Sequence, residues 1–276
     1  MIRAVCDLHI HTKHSCDSHA ALEAYCTQAL QTGVDTLCFT DHVDHNPNDY
    51  GKGFYNPGAF FSDFLHVQEK YRERLTLLCG IEFAEPHLYR NELSVLSKLP
   101  YDYILGSVHF WYRDMFPSRM VKEGIPAETC YAHYWDEVLA AVKAGGFDAL
   151  GHMDFPKRYY SSLIIDHGKL HEICTEMVRN HICPEINTSS LRKNMAEPMP
   201  GREILSIYKS CGGRYVTVGS DAHHPDELAV GNAQAVELIG YFGFEEVVFS
   251  KRCCFSRRAN GSPYECSAHG GLDCVR

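Results

Sequence analysis

What the chain lacks narrows it first. No apolar run approaches the roughly 20 residues that a membrane-spanning helix needs, so no membrane partner is expected. An apolar leader is not expected either, because Asp7 and His9 interrupt the first hydrophobic stretch where such a segment would have to continue. Positive charge is in deficit: 26 Lys and Arg face 35 Asp and Glu, a formal net charge of −9. That balance opposes a broad electrostatic footprint on nucleic acid or acidic lipid, although a local basic pocket remains open. No Gly-rich dinucleotide fingerprint follows the first strand-like run. Cysteine, by contrast, is plentiful at 13 in 276 residues, but its spacing does not form a disulfide framework. Cys6, Cys38, Cys79 and Cys183 sit in or beside apolar β-like runs, where a free thiol acts as a small hydrophobe. A reducing, cytoplasmic setting is expected.

What is present is a soluble globular composition, 45% hydrophobic and 22% charged, enough for a sizeable core. Short apolar runs at 4–11, 36–42, 76–83, 103–110, 149–155, 183–188 and 215–221 read as strands. Amphipathic stretches near 19–32, 58–74, 87–98, 127–144, 166–181, 201–211 and 226–240 read as the helices between them. Strict alternation calls for parallel pairing through right-handed crossovers, and seven or eight such units favour a closed α/β barrel. A further run at 245–250 supplies a last strand or an edge. Residues 43–57 and 111–126 break the rhythm as long loops, the second carrying Trp111, Tyr112, Arg113 and Phe116. Loops at that end of a barrel build the substrate pocket. One domain is expected over 1–250, followed by an irregular, poorly ordered Cys/Arg-rich tail over 251–276 whose cysteine spacings match no standard zinc site.

The chemistry is concentrated at strand ends. In Asp7-Leu8-His9-Ile10-His11-Thr12, His9 and His11 share a strand face. Later runs end in Thr40-Asp41-His42, Gly80-Ile81-Glu82, Gly106-Ser107-Val108-His109, Gly151-His152-Met153-Asp154 and Gly219-Ser220-Asp221-Ala222-His223. In a parallel barrel these carboxyl ends meet on one rim, and so many polar groups would be costly there without metal. Nitrogen and oxygen donors without thiolate suit Zn²⁺, Mn²⁺ or Fe²⁺, with zinc the first choice. The candidates exceed what one ion can use, so two to three divalent ions are expected. Asp7, Asp41 and Asp154 are expected to orient ligand imidazoles through the second ring nitrogen.

Together with the string from Asp7 to Ser18, these motifs resemble the PHP (polymerase and histidinol phosphatase) superfamily in the right order over about residues 5–225. That resemblance implies a distorted (β/α)7 TIM-like barrel with a trinuclear site. It implies that His9, His11, Glu82 and Asp221 hold one ion, that Glu82 bridges to a second held by His109 and His152, and that Asp17, His42 and His223 hold a third. Asn187-Thr188-Ser189-Ser190-Leu191-Arg192-Lys193 and Gly151–Tyr159 resemble the monofunctional histidinol-phosphatase branch. On that branch Arg158 and Arg192 would grip the substrate phosphate, a role that suits a guanidinium fork. The implied activity is hydrolysis of the small phosphate ester L-histidinol phosphate to L-histidinol and inorganic phosphate, with Asp221 or a water giving the leaving group its proton. The alternatives are a phosphoesterase acting on nucleotides or short oligonucleotides, and a non-catalytic metal-binding scaffold. An amidohydrolase, which needs a bridging lysine, finds no strand-end Lys here.

Overall fold

The computed structural model describes residues 5–160, 162–256 and the backbone of 265 and 266. Seven parallel strands follow one another in sheet order: β1 (Val5–Ile10), β2 (Val34–Val43), β3 (Thr76–Ala84), β4 (Tyr103–Ser107), β5 (Ala149–Leu150), β6 (Cys183–Asn187) and β7 (Tyr215–Gly219). The seam closes just past the end of β7, where His11 donates its backbone N–H to the Ala222 carbonyl at 2.8 Å and Ala222 donates to His9 at 3.3 Å. The closed α/β barrel read from the alternation, with the seven strands that the family resemblance implies, is therefore the fold.

Helices cover the outside: α1 (Leu22–Thr32), α2 (Pro57–Tyr71), α3 (Arg90–Leu96), α4 (Pro117–Lys122), α5 (Ala127–Ala144), α6 (His167–Arg179), α7 (Ser189–Arg192), α8 (Arg202–Ser210) and α9 (Asn232–Phe242). Their ends follow local chemistry. The Asn56 side chain accepts from the Ala59 N–H ahead of α2, with Pro57 in the first turn, and Asp166 accepts from Lys169 ahead of α6. The short α4 lies inside the stretch 111–126 read from sequence as a loop, and α7 falls between the strand and helix read at 183–188 and 201–211, because neither carries enough turns to show a period. The run expected at 149–155 stops at Leu150, since His152 takes a positive φ of 26° and the chain turns there into a short 3₁₀ segment.

Two cores result. Outward-facing Leu37, Phe39, Ile81, Ile104, Val216 and Val218 pack against the helices, notably Tyr131, Tyr134, Trp135 and Val138 of α5. Inward-facing Leu8, Cys38, Leu78, Tyr103, Leu105, Ala149 and Cys183 form a separate cluster inside the strands. Its floor is β8 (Glu245–Ser250), which pairs parallel with β7 and adds Val247, Val248 and Phe249. The boundary expected at 250 is not where regular structure stops. β9 (Cys253–Ser256) turns back antiparallel on β8, and the two-residue β10 (Glu265–Cys266) pairs with β9. Arg252 reaches Asp148, and the Lys251 N–H bonds Asp102 at 2.9 Å, so the hairpin is stitched beneath the barrel. The rest of the tail, with Cys274, lies outside the described residues.

Candidate metal centre

The barrel interior is apolar below and polar at the top. Along β2 and β3 the inward positions run Cys38, Thr40, His42 and Leu78, Gly80, Glu82, so period-two alternation carries the apolar floor directly into the chemistry. β1 needs one more device. Its register slips between Asp7 and Ile10, three residues matching two on β2, and this bulge lets His9 join Leu8 in facing inward. Opposite it stands Gly219, where an added Cβ would lie 2.2 Å from Glu185 Oε1 and 2.4 Å from the His9 Cβ. Only glycine lets His9 and Glu185 meet.

Glu82 is the hub. Its Oε2 lies 3.2 Å from His9 Nε2, 3.5 Å from His11 Nε2 and 2.9 Å from His42 Nδ1. Its Oε1 lies 3.3 Å from His109 Nε2 and 2.9 Å from His152 Nε2. Asp221 Oδ1 stands 3.3 Å from His11 Nε2 and 3.8 Å from His9 Nε2. Asp17 Oδ2 joins His223 Nε2 at 3.1 Å and His42 Nε2 at 3.5 Å. Three sets therefore have donor atoms close enough to share an ion: His9, His11 and Asp221; His42, Glu82 and His109; and His11, Asp17, His42 and His223. All nine residues expected at the rim are brought together there. The grouping differs in detail from the implied one: His42 faces two sets, and His152 meets Glu82 without completing a set of its own.

The hydrogen bonds fix which nitrogens are available. Ser15 Oγ has one proton and gives it to Asp41, so it must accept from His11 Nδ1–H at 3.1 Å. The His11 Nε2 lone pair then points at two carboxylates with no hydrogen-bond partner among the described residues. His9 Nδ1 is also held, by Glu185 Oε1 at 2.6 Å, but its Nε2 meets Glu82 Oε2 at 3.2 Å; burial opposes charge on this ring, yet Glu185, Glu82 and Asp221 outweigh it and hold the imidazole well above its usual value. His223 Nδ1 donates to the Asp221 carbonyl at 3.1 Å, and its Nε2 meets Asp17 Oδ2 at 3.1 Å. The His11 lone pair is repelled by the carboxylates it faces unless a cation lies between them, and imidazoles ringed around shared carboxylates fit divalent metal.

Electrostatics agree. Burial opposes charge on Glu82, yet His42, His9 and His109 outweigh it and hold the carboxyl well below its usual range. Burial likewise opposes charge on Asp221, but Arg158 and His9 keep it ionised. Ionised, Asp221 offers its oxygens to a cation. Burial drives His11 well below the ordinary imidazole value, reinforced by His223 and His42.

Above this floor opens a cavity of about 550 Å³, walled by Asp44, Asp49, Phe110, Phe116, Phe155, Arg158, Tyr159 and Lys193 among others. Arg158 enters as expected, paired with Asp221 and 2.6 Å from Ser189 Oγ, with its buried Nε–H unsatisfied among the described residues. Arg192 does not line the cavity. Its guanidinium turns behind the rim to the carbonyls of Ser220 and Asp221 at 2.7 and 2.9 Å, because α7 aims it at the seam. The orienting acids also differ from expectation. Asp7 holds Ser220 and the Ala229 N–H, Asp41 holds Thr12 and Ser15, and Asp154 holds the Gly201 N–H and Lys157. The carboxylate that orients a ligand imidazole is Glu185, whose other oxygen accepts from the His152 N–H at 3.0 Å. Its only sequence signal is an acid in an otherwise apolar strand. Trp111 packs on Tyr134 and donates to the Cys130 carbonyl, a core role.

Barrel and rim define a class: a parallel α/β barrel whose strand ends carry a histidine–carboxylate site suited to divalent metal ions. Within that class the chain belongs to the PHP domain family, whose pattern matches residues 7–189. It is 29% identical over 256 residues to a Deinococcus radiodurans protein named "Probable histidinol-phosphatase", covering 90% of this chain and 97% of that one. It is 25% identical over 264 residues to the "Histidinol-phosphatase" of Lactococcus lactis, covering 87% and 92%. Among solved structures, the Lactococcus lactis histidinol phosphate phosphatase, complexed with zinc, L-histidinol and phosphate, superposes with a TM-score of 0.73 at 23% identity. That match covers 90% of this chain and 97% of the other.

Proposed function

We propose that this protein is a histidinol-phosphatase, hydrolysing L-histidinol phosphate to L-histidinol and inorganic phosphate with two to three divalent ions, zinc first among them. The observation that carries the reading is the Glu82 hub, five imidazoles around one carboxylate at the floor of a cavity with a buried guanidinium beside it. The relatives, which align over nearly the whole chain, supply the substrate.

His9, His11 and Asp221 with Glu82, then Glu82 with His42, His109 and His152, then Asp17, His11, His42 and His223 would hold the ions. When bound, such ions polarise phosphoryl oxygens and lower the pKa of water. Arg158 donates its free Nε–H to a phosphate oxygen and neutralises charge that grows on the equatorial oxygens. Lys193, which lines the same cavity and has no ion pair among the described residues, takes the second cationic position expected of Arg192. Phe110, Phe116, Phe155 and Tyr159 wall the cavity and exclude bulk water around the imidazole of the substrate. The test is phosphate release from histidinol phosphate by protein stripped with chelator and reloaded with defined Zn²⁺, Mn²⁺ or Fe²⁺. Turnover restored by metal supports the reading, and a fully loaded protein inert on this ester but active on nucleotides would replace it.

A further inference from the structure

The cavity has two chemically opposed ends. Arg158, Lys193 and the imidazoles form one, and Asp44 with Asp49 forms a wall that no ligand set uses. Asp44 stands apart from ordinary surface acids because it is only 5% exposed. Its Oδ1 is buried without a hydrogen-bond partner among the described residues. Other nearby acids are already engaged: Asp114 accepts from Asn46 at 2.6 Å and from Asn48 at 2.5 Å, and Asp49 accepts from the Gly51 N–H at 2.7 Å. The backbone makes room for this carboxylate, since a Cβ on Gly51 would sit 2.6 Å from Asp44 Oδ2. A buried, unpartnered carboxylate is costly unless something positive meets it.

Its position says what that is. Asp44 follows His42 by two residues just past the end of β2, so an extended chain sets it on the same side and roughly 7 Å farther along. In a phosphate ester of a 2-amino alcohol only four bonds separate phosphorus from the ammonium nitrogen, so one small molecule can present both groups to the two ends of one cavity. We infer that Asp44 is the residue that selects a cationic amine on the substrate, accepting from its ammonium while the phosphate lies at the metal and Arg158 end. This deepens the histidinol-phosphatase reading and rests on it. It makes the preferred substrate class phosphomonoesters of vicinal amino alcohols.

The experiment compares kcat/KM for histidinol phosphate and for its deamino analogue, 3-(imidazol-4-yl)propyl phosphate, in the zinc-loaded protein. The wild type should prefer the amine by at least about tenfold, the scale of a charged hydrogen bond. Asp44→Asn, which keeps the shape, should bring that ratio close to one, mainly through KM, with metal content by elemental analysis unchanged. Asp44→Glu should recover part of the preference. A wild type that does not distinguish the two esters, or an Asp44→Asn protein that keeps the full preference, overturns the assignment. So does loss of an ion on Asp44→Asn, which would make Asp44 a ligand instead. Wild-type protein that hydrolyses neither ester sinks the phosphatase reading and this inference with it, a result distinct from failure of the amine preference alone.

Discussion

Glu82 is shared by five imidazoles, so removing its charge affects every ion position at once. Glu82→Gln should lose at least one ion by elemental analysis and lower kcat roughly a hundredfold or more; near-normal activity would mean that another group joins the ions. The two arginines should now separate. Arg158→Ala should lower kcat/KM by the equivalent of about 2–4 kcal/mol with metal content unchanged, and should cost stability in stripped protein, where Asp221 loses its buried partner. Arg192→Ala frees the carbonyls of Ser220 and Asp221, so it should lower the melting temperature and loosen metal as well as slow turnover. Equal metal retention in both variants would put Arg192 back on the phosphate. Glu85 gives a pH test. It is fully buried and accepts from the His109 and Phe110 N–H groups, and burial pushes its carboxyl from 4.5 to about 7. Between those values the folded protein keeps a proton that the unfolded chain has released, so this group's contribution to stability falls as pH rises through the window. Glu85→Gln should abolish that fall: denaturation at fixed zinc should show the variant gaining on wild type up to about pH 7 and level beyond. A constant difference across the window would remove the assignment. At this scale the rim was legible because its groups sit at or just past strand ends, except Asp17 in the loop after β1, which only the family resemblance supplied. Glu185 and Arg192 were not, since a partner 176 residues away and the aim of a four-residue helix leave no local pattern.

Among elements, the β8–β9 hairpin is the one that sequence periodicity misplaces. β8 reads as an apolar run, but nothing local says that it floors the barrel, and β9 is hidden among Arg and Ser. Its value lies in non-local bonds, Arg252 to Asp148 and residue 251 to Asp102, which join the last strands to the starts of β4 and β5. A chain ended after Ser250 should therefore be less stable than one ended after Ser256 by about 2–4 kcal/mol, the sum of a buried ion pair and several backbone bonds. Denaturant midpoints compare the two directly, and equal midpoints would show that the hairpin adds nothing. The β1 bulge was equally illegible: the His-x-His spacing announces two imidazoles on one face, but only the pairing with β2 shows that Leu8 turns inward with them.

For the molecule as a whole, the crowded rim makes metal a structural component. Stripping the ions removes the cations that join Glu82, Asp221 and Asp17 to the imidazoles, and chelation should lower the melting temperature by roughly 10 °C, reversed by zinc. Calorimetry showing no shift would mean that the ions contribute to chemistry alone. Parallel barrel, strand order and rim were readable because alternation and strand-end polarity repeat across most of the chain; the floor and the seam were not, being set by contacts between its two ends. That seam has a consequence for synthesis. His9 and His11 are synthesised more than 200 residues ahead of their partner Asp221 and of the Ala222 carbonyl that closes the barrel. At about 5–20 residues per second these imidazoles wait ten seconds or more beside an incomplete rim. Metal loading is thus a late step of biogenesis, and nascent chains halted before Asp221 should retain less zinc than chains extended past His223.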